Sequence, residues 1–314
     1  MPEKYNPYAP MSASCLKHIG KPFFMMMCGL PAGGKTTYAK KLAEETGALL
    51  LSSDDIREEF NYDPSSKEDH KKVFSIMESE TLKALKNNLS VIYDATNIHR
   101  KNRMNFLDKL QCLGVFMVCT IMAKPYDLCL IDNYKRKRIV PGEVIERMYK
   151  QWQTPYYFEG WDKMDLVYPY GYDPYIDVNT EFEKYMSYDQ NNPHHTLTLG
   201  KHMEETASQI SKINLPDLID AALIHDIGKI YTRTTDKNGC SHYYNHENVG
   251  AYEALFSNAT DIVGTSVLVN LHMEPFHWGE GDEKTKSIHK YKELWGPILT
   301  KEVCDLFECD KLAH

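Results

Sequence analysis

The 314-residue sequence has no apolar run near the roughly 18 residues that a membrane-spanning helix requires. Its first twenty residues, MPEKYNPYAPMSASCLKHIG, lack the continuous apolar stretch of a secretory signal. Both absences lead us to expect a cytoplasmic protein with no membrane partner. The eight cysteines contain no C-x-x-C pair, and several lie inside apolar runs where a thiol behaves as a small hydrophobe, which argues against disulfides and structural zinc. Internal repeats and low-complexity tracts are also missing. A composition of 42% hydrophobic and 25% charged residues excludes disorder, collagen and coiled coil. The chain is about twice the usual domain length, so two domains are expected.

Charge and histidine divide the chain. Residues 1–180 hold 24 Lys+Arg against 23 Asp+Glu, whereas residues 181–314 hold 12 against 21, a net of -9. Ten of the thirteen histidines fall in the second part. Such a composition fits a multi-ligand metal site, or an acidic solvated surface with scattered histidines. The Pro-, Gly- and Tyr-rich stretch YPYGYDPYIDVNTEFEKY reads as a linker or edge segment between the parts.

In the first part, FFMMMC (Phe23–Cys28) fits a buried strand. It runs into GLPAGGKTT and then the helical pattern YAKKLAEET. The loop satisfies G-x-x-x-x-G-K-[ST] with Gly29, Gly34, Lys35 and Thr36. Glycines allow backbone N–H groups to close around phosphate oxygens, Lys35 is placed to reach the β and γ phosphates, and Thr36 is placed to hold Mg²⁺. Gly33 and Thr37 complete the candidate nucleotide contacts.

Further strands are expected at ALLLS, SVIYD and GVFMVCTIM, with a long helix from about Lys67 to Asn88. The carboxylates after ALLLS, in SDDIREEF, lie where ligands bind in open parallel sheets. One could accept the proton of an incoming hydroxyl, with Arg57 holding a phosphate; equally, Ser53 or Asp54 could cap the helix that follows. Asp94 at the end of SVIYD is placed to assist Mg²⁺ binding or to cap the next turn. The basic tetrad Lys135–Arg138 suits a lid that brings arginines onto ATP phosphates, or a solvated surface.

In the second part, periodicity puts polar groups on apolar faces. His202 lies on the face formed by Leu199, Met203, Ala207 and Ile210; His225 follows Leu218, Ala221 and Ala222; Asp310 follows Val303, Leu306 and Phe307. An unpaired buried carboxylate is costly, so two histidines with Asp226 and Asp310 on three apolar faces point to a shared metal. Mixed imidazole and carboxylate donors suit Mn²⁺, Fe²⁺, Co²⁺, Ni²⁺ or Mg²⁺. Lys229 could meet a substrate phosphate or be a solvated helix-end lysine. His194 and His195, in NNPHH, could sit near the substrate, though a turn role is the favoured reading.

The elements GLPAGGKTT, SSDDIR, YDATNIHRKNR and NYKRKRIVPGEVIERMYKQW resemble, in that order, the phage-type polynucleotide 5′-kinase branch of the P-loop kinases. That resemblance implies ATP and Mg²⁺, Asp54 as general base on a 5′-hydroxyl, Arg57 on the acceptor phosphate, and Arg136 or Arg138 activating the γ-phosphoryl. The pattern H…HD…D over residues 188–314 resembles the HD phosphohydrolase superfamily, in which His246 and His272 fall where ligands of a second metal occur. The pair of domains resembles bacterial enzymes that heal RNA ends. It implies 5′-phosphorylation together with removal of a 2′-phosphate or 2′,3′-cyclic phosphate, RNA or DNA ends as partners, and an RNA ligase as a candidate associate. The near-neutral first part fits a local basic channel rather than a broad nucleic-acid footprint.

The expected architecture is an α/β P-loop kinase with a parallel sheet flanked by helices, followed by an all-α HD-type domain. Boundaries are a 1–21 extension, a 22–172 kinase, a 173–187 linker and a 188–314 HD domain. Two other readings stay open: a small-molecule or nucleotide kinase fused to an HD nucleotidase, and a nucleotide-binding sensor without catalysis.

Overall fold

The computed structural model describes residues 6–171, 174–193 and 195–313, so His194 lies outside the described residues. The chain divides into two compact units, Met1–Ile145 with Glu159–Gly171, and Glu146–Phe158 with Tyr172–His314.

The first unit is built on a parallel sheet of β1 (Phe23–Cys28), β2 (Leu49–Ser52), β3 (Val91–Asp94), β4 (Phe116–Met122) and β5 (Lys163–Val167), in the order β2-β3-β1-β4-β5. β1 sits at the centre, paired with β3 and β4, and all six of its residues are buried. An unbroken apolar run rather than an alternating one is what a strand covered on both faces requires. Helices Lys35–Thr46, Lys67–Lys86 and Arg100–Leu110 connect the strands. The second of these starts where the Ser66 side chain accepts from the Asp69 N–H, with Glu68 and Asp69 in its first turn.

β5 was not expected from the sequence. Its Lys163 and Asp165 interrupt the apolar signal, yet Asp165 is wholly buried opposite Thr120. The segment read as an extension also packs on this unit. Leu16, on the short helix Ala13–Lys17, joins Phe23, Met25, Met27 and Leu42 in the core, and the Leu166 N–H donates to the Tyr8 carbonyl.

The second unit is helical: Leu199–Lys212, Ile219–Ile224, Lys229–Thr232, His246–Ala254, Ile262–Leu271, Asp282–Trp295 and Pro297–Leu312, with a two-residue hairpin of β6 (Thr234–Thr235) and β7 (Ser241–His242). Residues 146–158, read from the sequence as kinase, pack here. Trp152 is fully buried with its ring edge-on to Tyr252, and the Tyr149 hydroxyl donates to Glu253 at 2.5 Å. Ile176 and Val178, from the stretch read as linker, are buried as well, and Ile176 bridges to Ser257. Burial of apolar side chains inside a polar-looking stretch is what separates a packed strap from a linker. Among the described residues no helix is long and apolar enough to cross a membrane.

Candidate functional site

The carboxyl ends of β1, β2 and β3 carry one constellation. Gly34, at φ 87°, caps the helix that Lys35 begins, and a Cβ on Gly29 would lie 2.9 Å from the Met122 carbonyl oxygen, so backbone closeness demands glycine there. The Lys35 ammonium is buried and donates to the Gly29 and Leu30 carbonyls at 3.0 and 2.7 Å. Burial lowers its pKa, with Asp94 opposing the fall. Thr36 Oγ1 donates to Asp94 Oδ2 at 2.6 Å, which brings together the two residues expected to share Mg²⁺. Burial raises the Asp94 pKa against the opposing pull of Lys35, and Asp54 and Asp55 add to the rise. A buried lysine folded onto loop carbonyls, beside a threonine–aspartate pair, fits a triphosphate and its magnesium. Thr37, the other expected nucleotide contact, is exposed.

Asp54 follows β2 on the helix Ser53–Glu59. The cap of that helix is Ser52, whose Oγ accepts from the Asp55 N–H; neither Ser53 nor Asp54 serves, which leaves the Asp54 carboxylate free for other contacts. Three arginines take it up. Arg136 Nη2 lies 3.0 Å from its Oδ2, Arg138 donates to its Oδ1, and Arg57 Nη1 is 3.5 Å away. Both lid arginines therefore reach the candidate base, and the basic tetrad is not merely solvated. Arg57 is also tied to the Ser53 carbonyl and to His70. Sequence reasoning missed Lys124. Its buried ammonium donates to the Ala32 carbonyl at 2.7 Å and to Asp132 at 2.6 Å, bracing the phosphate loop from the end of β4. Its only signal was a lysine directly after an apolar strand.

In the second unit the candidate ligands come from five helices and one turn. His202 stands on the helix Leu199–Lys212. His225 is the C-cap of Ile219–Ile224 with helical backbone angles (φ -55°, ψ -35°), and Asp226 begins the turn that follows. His246 opens its helix, His272 caps Ile262–Leu271, and Asp310 lies on Pro297–Leu312. All six are buried. They form two trios, His202 with His225 and Asp310, and Asp226 with His246 and His272, the ligand atoms of each lying within 4.8 Å of one another. Gly228 makes the arrangement possible, because a Cβ there would stand 2.0 Å from the His246 carbonyl oxygen.

Tautomers follow from the partners. Nδ1 of His202, His225, His246 and His272 lies 2.6–2.9 Å from a carbonyl oxygen, which only accepts. Each Nδ1 therefore donates, and each Nε2 presents a lone pair inward. Asp226 faces both trios: Oδ2 is 3.4 Å from His202 Nε2, and Oδ1 is 3.1 Å from His246 Nε2. Burial alone would raise the pKa of Asp226, but Lys229, His225 and His246 outweigh it and hold the carboxyl well below the ordinary range. Burial likewise pushes against ionised Asp310, and the His202 and His225 imidazoles beside it reverse the balance. His272 is driven down to about 3 by burial and by the neighbouring imidazoles. Two imidazoles and a carboxylate per trio fit a divalent cation that prefers nitrogen and oxygen donors.

The trios border a cavity of about 320 Å³. Lys229 reaches it as a buried ammonium, 2.6 Å from Asp226 Oδ2 and 2.9 Å from Gln190 Oε1, rather than as a solvated helix end. His195, for which the sequence left both a turn and a place near the substrate open, lines the cavity, with Nε2 3.4 Å from Lys229 Nζ.

The family model described as an AAA domain matches residues 24–155, and the one described as an HD domain matches residues 194–314. A curated relative, the L-seryl-tRNA(Sec) kinase of Methanococcus maripaludis, is 32% identical over 149 residues, 46% of this chain and 57% of that protein. The chain thus spans a little over half the length of the curated relative it matches. Among solved structures, the Pnkp1/Rnl/Hen1 RNA repair complex is similar at 21% identity and a TM-score of 0.36, over 42% of this chain and 44% of that one. A gluconokinase from Sinorhizobium meliloti is similar at 15% identity and a TM-score of 0.34, over 47% and 82%. By fold and by family model, this protein joins an N-terminal P-loop kinase-like domain to a C-terminal helical HD domain.

Proposed function

We propose that the protein heals nucleic-acid ends, phosphorylating a 5′-hydroxyl at the first site and removing a terminal 2′-phosphate or 2′,3′-cyclic phosphate at the second, with RNA as the favoured substrate. The observation that carries the kinase half is the Asp54 carboxylate held by Arg57, Arg136 and Arg138 beyond the end of β2. The same guanidiniums stand where the negative charge of acceptor and donor phosphates would have to be met.

ATP with Mg²⁺, once bound, supplies the phosphoryl group. Lys35 exchanges its loop carbonyls for phosphate oxygens, and Thr36 and Asp94 hold the ion. Asp54 takes the hydroxyl proton, Arg57 orients the acceptor phosphate, and Arg136 and Arg138 neutralise charge that develops on the transferring group. In the HD domain the two trios would hold divalent ions, which would supply Lewis acidity and a water of lowered pKa. Lys229 and His195 are placed to receive the phosphate oxygens.

A second reading is favoured by the likeness to an L-seryl-tRNA(Sec) kinase: the acceptor would be the hydroxyl of an aminoacylated tRNA. Both readings are tested together by incubating a short RNA with a 5′-hydroxyl and a 2′,3′-cyclic phosphate, and separately seryl-tRNA, with ATP, Mg²⁺ and Mn²⁺, and weighing the products. Gain of a 5′-phosphate and loss of the terminal phosphate supports end healing. Phosphorylation of seryl-tRNA with an untouched 5′-hydroxyl moves the acceptor to the second reading. Faster transfer to free nucleosides than to either would point to a small-molecule kinase, and bound nucleotide without any transfer to a sensor.

A further inference from the structure

The mouth of the HD-domain cavity carries aromatic groups that the two metal-ligating trios do not use. Tyr244 is 69% exposed and Phe276 50% exposed, and both line the same cavity as His202, Asp226, His246 and Asp310. Aromatic rings combined with a few convergent polar groups are the usual lining of a small-molecule pocket.

Neither ring is loose. Tyr244 is stacked on His242 with centroids 5.6 Å apart and planes 5° from parallel, and the His242 Nε2 is held 3.3 Å from Asp236 Oδ2 across the hairpin of β6 and β7. Phe276 is fixed edge-on against Phe307, centroids 4.7 Å apart at 88°. The site therefore offers preformed π-faces at its rim and, deeper in, Lys229 and two buried sets of imidazole and carboxylate donors.

Charge decides among ligands that such a mouth would admit. Residues 181–314 carry a net of -9, so a polyanion gains little from long-range attraction to this domain and few cations are present to track a phosphate backbone. Affinity has to come from the terminal nucleotide alone, its phosphate at the metal donors and its base on an aromatic face. Every base has a π-face, so stacking is tolerant of sequence.

We infer that Tyr244 and Phe276 form a base-stacking rim that selects nucleotides, over other phosphate esters, for the HD-domain site. The inference rests on the phosphohydrolase reading of that site, and the experiment separates the two. Mn²⁺-loaded protein is given adenosine 2′,3′-cyclic phosphate and a methyl ribofuranoside 2,3-cyclic phosphate that lacks the base, and the ratio of kcat/KM is measured. Tyr244→Ala and Phe276→Ala are expected to shrink that ratio on the order of tenfold each, through KM rather than kcat, with Tyr244→Phe restoring it. Binding is read independently of turnover by titration with a 2-aminopurine nucleoside 2′-phosphate, whose fluorescence is quenched when the base stacks.

Quenching that depends on Tyr244, with no hydrolysis of either compound, would support the rim and overturn the hydrolase reading. Hydrolysis with an unchanged ratio in both alanine variants, and quenching unaffected by them, would overturn the rim and leave the hydrolase reading standing. Absence of quenching and of any preference for the nucleotide in the unmodified protein would also overturn the rim.

Discussion

His246 and His272 face each other Nε2 to Nε2 across 3.3 Å, each having committed its Nδ1 proton to a backbone carbonyl. His202 and His225 repeat the arrangement at 3.2 Å. Two lone pairs held that close in a buried site repel unless a cation lies among them, and the carboxylates of Asp226 and Asp310 complete the donor sets. Asp226 belongs by geometry to both, since its two oxygens point to different trios.

Metal content is the direct consequence. Mn²⁺-loaded protein, desalted and measured by plasma mass spectrometry, is expected to retain about two ions per chain, and His202→Ala or His246→Ala about one. Asp226→Ala should lower the content more than either histidine change. Equal loss from all three variants would refute two separable sites.

At the kinase site, Asp54→Asn keeps the shape of the carboxylate and removes its basicity. A fall in kcat of roughly 10²–10⁴-fold is expected in the 5′-kinase assay, the span typical of lost general-base catalysis. Arg136→Ala and Arg138→Ala should each lower kcat with ATP binding retained, because both guanidiniums reach Asp54, whereas in the proposed mechanism the phosphates would be held by Lys35 and Thr36. A variant of either arginine with unaltered kcat would remove that residue from the mechanism.

Asp165 makes stability depend on pH. Burial pushes its carboxyl from 3.8 up to about 6, against the Met11 N–H and Lys163, which pull it down. The folded state therefore binds the proton more tightly than the unfolded chain. The stabilisation is fully present below pH 3.8 and is lost as pH rises through about 6, a change of ~3 kcal/mol. Urea midpoints between pH 4 and 7 should show this component in the unmodified protein, and Asp165→Asn should flatten it. An unchanged slope in the variant would assign the dependence to other groups.

Arg103 and Glu159 form a buried bidentate pair at 2.7 and 2.6 Å. Glu159→Gln should destabilise the first unit by about 3–5 kcal/mol by leaving a buried guanidinium without its countercharge. Replacing both partners, Arg103→Met with Glu159→Leu, should recover most of that loss in chemical denaturation. A double variant as unstable as the single one would show that shape rather than charge governs the position.

The candidate sites were legible in the sequence where local pattern dictates local structure. GLPAGGKTT is a loop whose glycines are set by backbone closeness, and His202, His225 and Asp310 stood out because helical periodicity placed them among apolar residues. β5 was not legible, since Lys163 and Asp165 gave a buried strand the look of a polar turn. Residues 146–158 read as part of the kinase, although the partners that bury Tyr149 and Trp152, Glu253 and Tyr252, lie about a hundred positions later in the chain.

What the sequence determined by itself is the kind of chemistry: a phosphate-binding loop at a strand end, and histidines and carboxylates on apolar helical faces, because spacing and burial are written in local order. What only the tertiary structure decided is assembly. It divided six candidate ligands into two trios with Asp226 between them, brought Arg136 and Arg138 to Asp54, buried Lys229 beside Asp226, and set Tyr244 and Phe276 at one cavity mouth. Each of these joins residues on separate elements, and the distance between separate elements is fixed by packing.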